Sequence, residues 1–252
     1  MPLPANLIDA VENRQAVLFA GAGISIKALG FAGRYIKEQV GEQIQRDYHS
    51  YDYDSRSFET ACDEYAVLND RTSLVNLLAG LIPQNAQPQT SHETAVRLFR
   101  FIVTTNWDLL FEEAYKKAGQ GYQVLSSDAD APNFNYDQHN LLKIHGSADK
   151  PLSLIATTDD YESYFDTHAM IEDKVGELVS NNTVIFVGYG FGDEHVRHLL
   201  ARIRRKRGPW ARKAYAVGYY DDVRTKVLDR RNIEVLDMDA DDFFDELGKQ
   251  LP

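Results

Sequence analysis

Cysteine is nearly absent from this sequence of 252 residues, which contains only Cys62. A single thiol excludes an internal disulfide and any zinc site built from several thiolates. Long apolar runs are also missing, since no stretch reaches the length of about 18 residues that a membrane-spanning helix needs. The first residues lack the basic head and apolar centre of a signal peptide. We therefore expect a soluble, cytoplasmic protein with no membrane partner.

Positive charge is scarce as well. Lysine and arginine number 27 against 38 aspartate and glutamate residues, which gives a formal net charge of −11. Such a negative field disfavours attraction to nucleic acid or anionic lipid, so no direct nucleic-acid binding is expected. One basic cluster, residues 202–213, holds seven cations. This cluster is either a solvated helix face and loop or a docking surface for an acidic partner.

Two hydrophobic patterns alternate along the chain. Short apolar runs rich in β-branched residues predict buried strands at residues 16–20, 101–105, 141–144, 152–156, 183–188, 214–218 and 233–236. Helical spacing lies between most of them, for example at residues 107–117, 194–207 and 221–229. Apolar strands separated by amphipathic helices indicate a parallel sheet that is covered on both faces. We predict an α/β fold with a doubly wound, Rossmann-like parallel sheet.

The interval 31–89 interrupts this alternation. It shows no convincing strand, but it contains helical patterns at 33–46, 57–68 and 72–81. An interval of about 60 residues is far longer than a simple crossover between parallel strands needs. We predict that it forms a small helical lobe inserted over the ligand edge of the sheet. Residues 1–252 are otherwise expected to form one domain.

A glycine turn ends the first predicted strand, with the residues Gly21, Ala22, Gly23, Ile24 and Ser25. Glycines in this position allow backbone N–H groups to approach a phosphate, although a tight turn without a ligand explains them equally well. The dinucleotide fingerprint of dehydrogenases needs a third glycine and, about 20 positions later, an acidic residue at the end of a strand. Here Ile26 stands at the position of the third glycine, and the acidic residue at a strand end is missing. An ordinary dehydrogenase is therefore disfavoured.

A second glycine turn follows the predicted strand at 183–188. It contains Gly188, Tyr189, Gly190, Phe191, Gly192 and Asp193. Asp193 is placed to cap the next helix, or the loop holds the adenosine half of a nucleotide. Ligands of doubly wound sheets lie beyond the carboxyl ends of the strands. Two glycine turns at such ends therefore favour a shared nucleotide crevice.

Polar side chains follow two further predicted strands. Thr105, Asn106 and Asp108 come after the strand at 101–105, where they either begin a helix as caps or face a ligand. His145 and Gly146 come after the strand at 141–144, and a strand-end histidine either serves an ordinary polar role or transfers protons near neutral pH. Motifs of serine hydrolases, zinc peptidases and P-loop enzymes are absent. Cys62 lies in a helical pattern, which favours a core position.

These four motifs, in this order and at comparable spacing, resemble the sirtuin superfamily over residues 15–220. The resemblance implies that NAD is bound as the substrate, and the single cysteine predicts that no metal is bound. It implies that Gly21, Ala22, Gly23 and Ser25 lie at the pyrophosphate, and that residues 188–190 lie along the adenosine half together with Asp193. Thr105, Asn106 and Asp108 would lie near the nicotinamide ribose, and His145 would match the general base of the family.

Departures from the deacylating sirtuins narrow this expectation. Their four zinc cysteines are missing, residues 29–34 lack the proline and acidic residue of their first motif, and their peptide-binding strand is not evident. The pattern looks more like the zinc-free sirtuin-like domains of bacterial anti-phage systems, which hydrolyse NAD to nicotinamide and ADP-ribose. The expected catalytic residues are Asn106, His145 and Asp108. An NAD-dependent deacylase or ADP-ribosyltransferase, and a sensor that binds NAD or ADP-ribose without turnover, stay as alternatives.

Control of such an activity is expected, because constant NAD hydrolysis would harm the host. The chain leaves little room for a sensing domain after the sheet. The resemblance therefore implies a homo-oligomer, a regulatory partner protein of the ATPase or Argonaute type, or both. The basic cluster at 202–213 is the predicted docking surface.

Overall fold

Seven parallel strands form the centre of the computed structural model, which describes residues 2–192, 194–207 and 212–251. They are β1 (Ala16–Ala20), β2 (Phe101–Thr104), β3 (Tyr122–Leu125), β4 (His139–Lys143), β5 (Thr183–Val187), β6 (Ala214–Val217) and β7 (Ile233–Leu236). Their order across the sheet is β3-β4-β2-β1-β5-β6-β7, and each neighbouring pair is parallel. The chain therefore winds first to one side of β1 and then to the other, as a doubly wound sheet does.

Twelve helices surround the sheet among the described residues. They are α1 (Ala5–Glu12), α2 (Ile26–Leu29), α3 (Gly33–Asp47), α4 (Phe58–Leu68), α5 (Arg71–Leu81), α6 (Thr90–Leu98), α7 (Leu110–Ala118), α8 (Thr158–Thr167), α9 (Ala169–Asn181), α10 (Glu194–Arg207), α11 (Asp222–Asp229) and α12 (Ala240–Gln250). Short 3₁₀ turns lie at Ala22–Ile24, Asp128–Asn133 and Pro151–Ser153.

Both faces of the sheet are covered, because successive residues of each strand point to opposite faces. In β1, Leu18 belongs to a hydrophobic cluster with α1, α6, α7 and α12, while Phe19 belongs to a cluster with α8 to α11. All five residues of β1 are buried, as is typical of a central strand in a parallel sheet. The predicted α/β, doubly wound fold is confirmed.

The interval 31–89 contains α3, α4 and α5, and these helices form a third hydrophobic cluster together with residues of the loops after β2 and β4. Val40, Cys62, Leu74 and Leu78 are fully buried in it. Burial also raises the pKa of the Cys62 thiol, which agrees with the predicted core position and disfavours a thiolate nucleophile. The segment therefore buries its apolar residues in a cluster distinct from the two clusters on the faces of the sheet.

One predicted strand is wrong, and one strand of the sheet was missed. Residues 152–156 form no strand: Pro151–Ser153 is a 3₁₀ turn, and of the apolar residues after it Leu154 belongs to the cluster of the helical segment and Ile155 to a cluster on the sheet. Strand β3 was not predicted, because its short sequence YQVL contains a glutamine and lies at the edge of the sheet. Burial against a lobe and burial in a sheet leave the same apolar signal in a sequence.

Candidate functional site

A cavity of about 290 Å³ lies at the carboxyl ends of β1, β2 and β4. Three strand-end segments form its polar side, which we call the floor: Ser25, Thr105, Asn106, Asp108 and His145. The other side, which we call the wall, is apolar: Leu29, Phe31, Ile36, Phe58 and Ile82. Ala22, Gly33 and Trp107 complete the lining. The structure thus brings together six predicted site residues: Ala22, Ser25, Thr105, Asn106, Asp108 and His145.

Asn106 is 6% exposed and is held in a single orientation. Its backbone N–H donates to Thr104 Oγ1 at 3.0 Å, while its Nδ2 donates to the Gly21 carbonyl at 3.2 Å and to Ser25 Oγ at 3.0 Å. A carbonyl can only accept, so the amide nitrogen must face Gly21. The amide oxygen, Oδ1, is buried without a hydrogen-bond partner among the described residues.

The alternative role of Asn106 or Thr105 as a helix cap is wrong. Helix α7 begins only at Leu110, and Asp108 Oδ1 accepts the Leu110 N–H at 3.1 Å. Asp108 therefore supports the start of this helix, as its position in the sequence predicted, and it also lines the cavity. For Asn106, a capping role no longer explains the side chain.

Sequence reasoning did not include His92 in the site, although it placed this residue near a helix start. His92 is fully buried at the beginning of α6, and its Nδ1 accepts the Gln89 N–H at 3.3 Å. Burial lowers the pKa of His92, so the ring is neutral and its proton must be on Nε2, 3.4 Å from Ser25 Oγ. Because Ser25 Oγ accepts from both His92 and Asn106, its own proton is left to donate elsewhere.

His145 follows β4 directly and is 4% exposed. Its ring lies edge-on to Tyr161 of α8, with ring centroids 5.4 Å apart. Burial lowers the pKa of His145 to about 3, with a smaller effect of the same sign from His168. The ring is therefore uncharged at neutral pH, and it lines the floor of the cavity.

Gly146 has a structural reason to be glycine. Its φ is +82°, and a Cβ there would lie 2.1 Å from the Ser153 carbonyl oxygen. The turn after His145 can therefore close against residue 153 only without a side chain. This explains the glycine after His145 on structural grounds.

The two glycine turns pack against each other. The Gly21 N–H donates to the Val187 carbonyl at 2.9 Å, and the Gly23 N–H donates to the Gly188 carbonyl at 2.8 Å. A Cβ on Gly23 would lie 2.6 Å from Gly188 Cα. Close backbone approach between the turns therefore accounts for these glycines, and two of the N–H groups considered for a phosphate are already engaged.

The second glycine turn lies apart from the cavity lining found among the described residues. The Tyr189 ring packs into the core against Phe19, with centroids 5.7 Å apart, and Gly190 is exposed. Asp193 falls outside the described residues, and so does part of the basic cluster at 202–213. Within the described part of that cluster, Arg202 pairs with Glu172 at 2.9 Å and Lys213 pairs with Glu234 at 2.5 Å. The docking surface stays a prediction.

Lys143, the last residue of β4, was also missed by sequence reasoning. It is 1% exposed and pairs with Glu112 of α7 at 2.8 Å, directly behind the floor. The available signal was the position of a lysine within a predicted buried strand, because a buried ammonium group needs acceptors around it. The sequence does not show which residues supply those acceptors.

Two classes of site receive no support from the described residues. No group of three or more histidine, cysteine or acidic side chains is arranged to hold a metal ion. None of the described helices has both the length and the apolar character that crossing a membrane requires.

Comparisons with known proteins agree with the motifs. The chain is 25% identical over 243 residues to the NAD(+) hydrolase ThsA of Enterococcus faecium, and the matched residues cover 94% of this chain and 48% of that protein. It is 22% identical over 203 residues to defense-associated sirtuin 2 of Bacillus subtilis, covering 79% of this chain and 20% of that protein. The chain thus spans less than half the length of these curated relatives.

Solved structures resemble the fold over nearly its whole length. A mutant Sir2 homologue in complex with 2′-O-acetyl ADP ribose has a TM-score of 0.54 at 15% identity, with 99% of this chain and 96% of that chain covered. A Sir2 homologue in complex with NAD has a TM-score of 0.50 at 16% identity, with 98% and 93% covered. At such identities the likeness concerns the fold alone.

The sequence model of one family, described as the SIR2-like domain, matches residues 100–236. This range contains β2 to β7 and three of the four motifs, all except the first glycine turn. The match covers more than half of the chain, and the chain therefore belongs to the family of SIR2-like domains.

Proposed function

We propose that this chain hydrolyses NAD to nicotinamide and ADP-ribose. One observation carries the proposal: Asn106 and His145, which follow the neighbouring strands β2 and β4, line the same cavity together with Asp108. The relatives named NAD(+) hydrolase supply the substrate class. We further propose that the activity depletes NAD as an effector of bacterial defence against phage, since another relative is a defense-associated sirtuin.

The reaction needs orientation more than acid catalysis. The bond between the ribose carbon and the nicotinamide nitrogen breaks, and its electron pair stays on the nitrogen, so that nicotinamide leaves as a neutral molecule. Water adds to the ribosyl cation, and one proton is released. The protein must therefore hold the ribose, place the water and accept a proton, and these tasks need positioned groups.

His145 is proposed as the acceptor of that proton, taken from the water or through a ribose hydroxyl. Its burial keeps the ring neutral. A neutral ring adds no positive charge beside the developing ribosyl cation, whereas an imidazolium would oppose it. A weak base suffices here, because water that is attacking a cation becomes strongly acidic. The Asp108 carboxylate is proposed to stabilise the cation or hold the carboxamide.

Asn106 is proposed to position the water or a ribose hydroxyl through Oδ1. The two bonds made by its Nδ2 prevent the amide from rotating, so this oxygen has one fixed direction. Ser25 has accepted two donors and offers its own proton to a ligand. A fixed acceptor beside a fixed donor suits a hydroxyl group, which needs both.

The cavity suits only part of the substrate. At about 290 Å³ it lies at the small end of ligand pockets, and it matches the nicotinamide–ribose half rather than the whole dinucleotide. We propose that the pyrophosphate passes along Gly21, Ala22, Gly23 and Ser25, and that the adenosine half reaches residues 188–190. The glycines would then serve close approach, since the N–H groups of Gly21 and Gly23 are engaged.

The decisive test is chromatographic analysis of NAD incubated with purified protein over a range of protein concentrations. Wild type is expected to release nicotinamide and ADP-ribose, and a rate per molecule that rises with concentration would indicate the proposed homo-oligomer. Asn106→Ala and His145→Ala are expected to lower the rate at least about 100-fold. His49→Ala, at an exposed histidine, is the matched control and should retain the rate.

Three outcomes would contradict the proposal. Absence of nicotinamide at every concentration, with a candidate regulatory partner present or absent, would exclude hydrolysis. NAD-dependent loss of an acyl group from a peptide would favour transfer to another acceptor. Tight NAD binding in calorimetry without turnover would favour a sensor. Thermal denaturation of each variant must accompany the assay, so that lost activity is not confused with lost fold.

A further inference from the structure

A buried ammonium group lies directly behind the floor of the cavity. Lys143 Nζ donates to the Asp108 carbonyl at 2.6 Å, to Glu112 Oε1 at 2.8 Å, to Ser147 Oγ at 2.8 Å and, more weakly, to the Trp107 carbonyl at 3.4 Å. The side chain is 1% exposed. The proposed hydrolysis assigns this group no role.

The contacts of Lys143 join the segments that carry the proposed catalytic residues. Two acceptors are backbone carbonyls of the loop that holds Asn106 and Asp108, and a third is the side chain of Ser147, two residues after His145. A further backbone bond, from the Ala148 N–H to the Trp107 carbonyl at 2.9 Å, runs between the same two segments. The ammonium group therefore lies where the loops after β2 and β4 meet.

An apolar residue would fill this space at lower cost. Burying an ammonium group is expensive, and a buried ion pair often stabilises a fold no better than apolar residues of similar size do. Burial also raises the pKa of Glu112, although the charge of Lys143 opposes this change. What an apolar residue cannot do is to hold the carbonyl of Asp108 and the hydroxyl of Ser147 at once.

We propose that Lys143 is a positioning residue, which fixes the loop of Asn106 and Asp108 relative to His145 by donating hydrogen bonds to both sides. The inference rests on the proposed function for its activity readout. Lys143 lies behind the floor and touches no substrate in this scheme. Glu112 balances its charge, so that no net positive charge stands behind a site where a cation develops.

The test separates positioning from stability by means of a double variant. Lys143→Met leaves the buried Glu112 carboxyl group without its partner, and we expect a lower melting temperature together with a lower kcat. Lys143→Met/Glu112→Leu removes both charges and is expected to restore most of the melting temperature. If Lys143 positions the site, kcat stays about 10- to 100-fold below wild type in the double variant, while the Kd for NAD changes less than about threefold.

The exposed pair of Lys116 and Glu113, on the same helix α7 and 2.7 Å apart, provides a matched control. Lys116→Met/Glu113→Leu is expected to retain both kcat and melting temperature. Recovery of wild-type kcat in the Lys143→Met/Glu112→Leu variant, together with its stability, would overturn the proposal. A crystal structure of that variant gives a second readout, independent of turnover: the 106–108 loop should shift relative to His145. An unmoved loop would also overturn the proposal, even if wild type proved to have no hydrolase activity.

Discussion

The floor and the wall of the cavity are built on different principles. On the floor, Asn106 and Ser25 are fixed by hydrogen bonds to each other, to the Gly21 carbonyl and to His92. On the wall, residues such as Phe31 and Phe58 offer apolar surface and belong to the cluster of the helical segment 31–89. The floor thus takes its geometry from the sheet, and the wall takes most of its geometry from the helical segment 31–89.

This difference separates chemistry from shape. Polar groups that are fixed by the ends of parallel strands keep their distances when a neighbouring helix is altered, whereas the shape of an apolar wall depends on the size and packing of its side chains. Floor residues are therefore expected to control kcat. Wall residues are expected to control which substrates fit and how tightly they bind.

The largest effect that would sharpen this comparison is expected at Phe58. Its ring lies 5.9 Å from the Trp107 ring, between centroids, and forms the contact of the wall with the loop of Asn106. Phe58→Ala removes apolar surface that substrate and transition state meet equally, so the KM for NAD should rise about 10- to 30-fold with little change in kcat. Steady-state kinetics of nicotinamide release measure both constants.

Val67→Ala, on the same helix α4, is the control, because Val67 is 85% exposed. It should leave KM and kcat at wild-type values. A Phe58→Ala variant that loses kcat and keeps its KM would break the comparison, since the wall would then take part in the chemistry.

A smaller effect is expected at His92, which acts on the floor from behind. His92→Asn keeps an acceptor for the Gln89 N–H but cannot reach Ser25, whereas His92→Gln keeps a donor in reach of Ser25 and loses the acceptor. We expect kcat to fall about fivefold in His92→Asn and to stay near wild type in His92→Gln, as the loss of one buried hydrogen bond implies.

The pair is informative because both variants lose one of the two bonds of His92 and should be destabilised to a similar degree. Thermal denaturation checks that similarity. Equal loss of kcat in the two variants would mean that His92 only supports the fold, and the bond to Ser25 would then have no part in the geometry of the floor.

Which residues form the floor was largely predictable from sequence, and which residues form the wall was not. Asn106, Asp108 and His145 stand directly after apolar strands, and the carboxyl ends of parallel strands meet at one edge, so topology alone brings them together. Phe58 and Ile82 lie 48 and 24 residues before Asn106 in a helical segment. No local pattern states which face of such a segment turns toward the sheet.

Buried polar partners were the second gap. His92 and Lys143 look like ordinary residues of a helix and a strand, and only the folded chain shows that each is enclosed and donates hydrogen bonds toward the floor. The glycine turns show a different gap, because close packing between the two turns gives Gly21 and Gly23 a structural reason that the sequence motif does not reveal. A sequence pattern can indicate that a position is restricted to one residue type, but only the structure shows which contact imposes the restriction.

The smallest effect is expected from pH. Burial lowers the pKa of His145 from its ordinary value near 6.5 to about 3, so the neutral ring that the floor needs predominates far below neutrality. We expect kcat to change less than about twofold between about pH 5.5 and 8, and to fall only as the pH approaches the lowered pKa. The fold is affected earlier: a histidine whose folded pKa is depressed contributes stability above about pH 6.5, and this contribution declines as the pH falls. Rates should therefore be measured well below the melting temperature at each pH. A kcat that falls with a midpoint near pH 6.5, in protein that is still folded, would mean that the titrating base is exposed to solvent. His145 would then not be enclosed in the floor during the reaction.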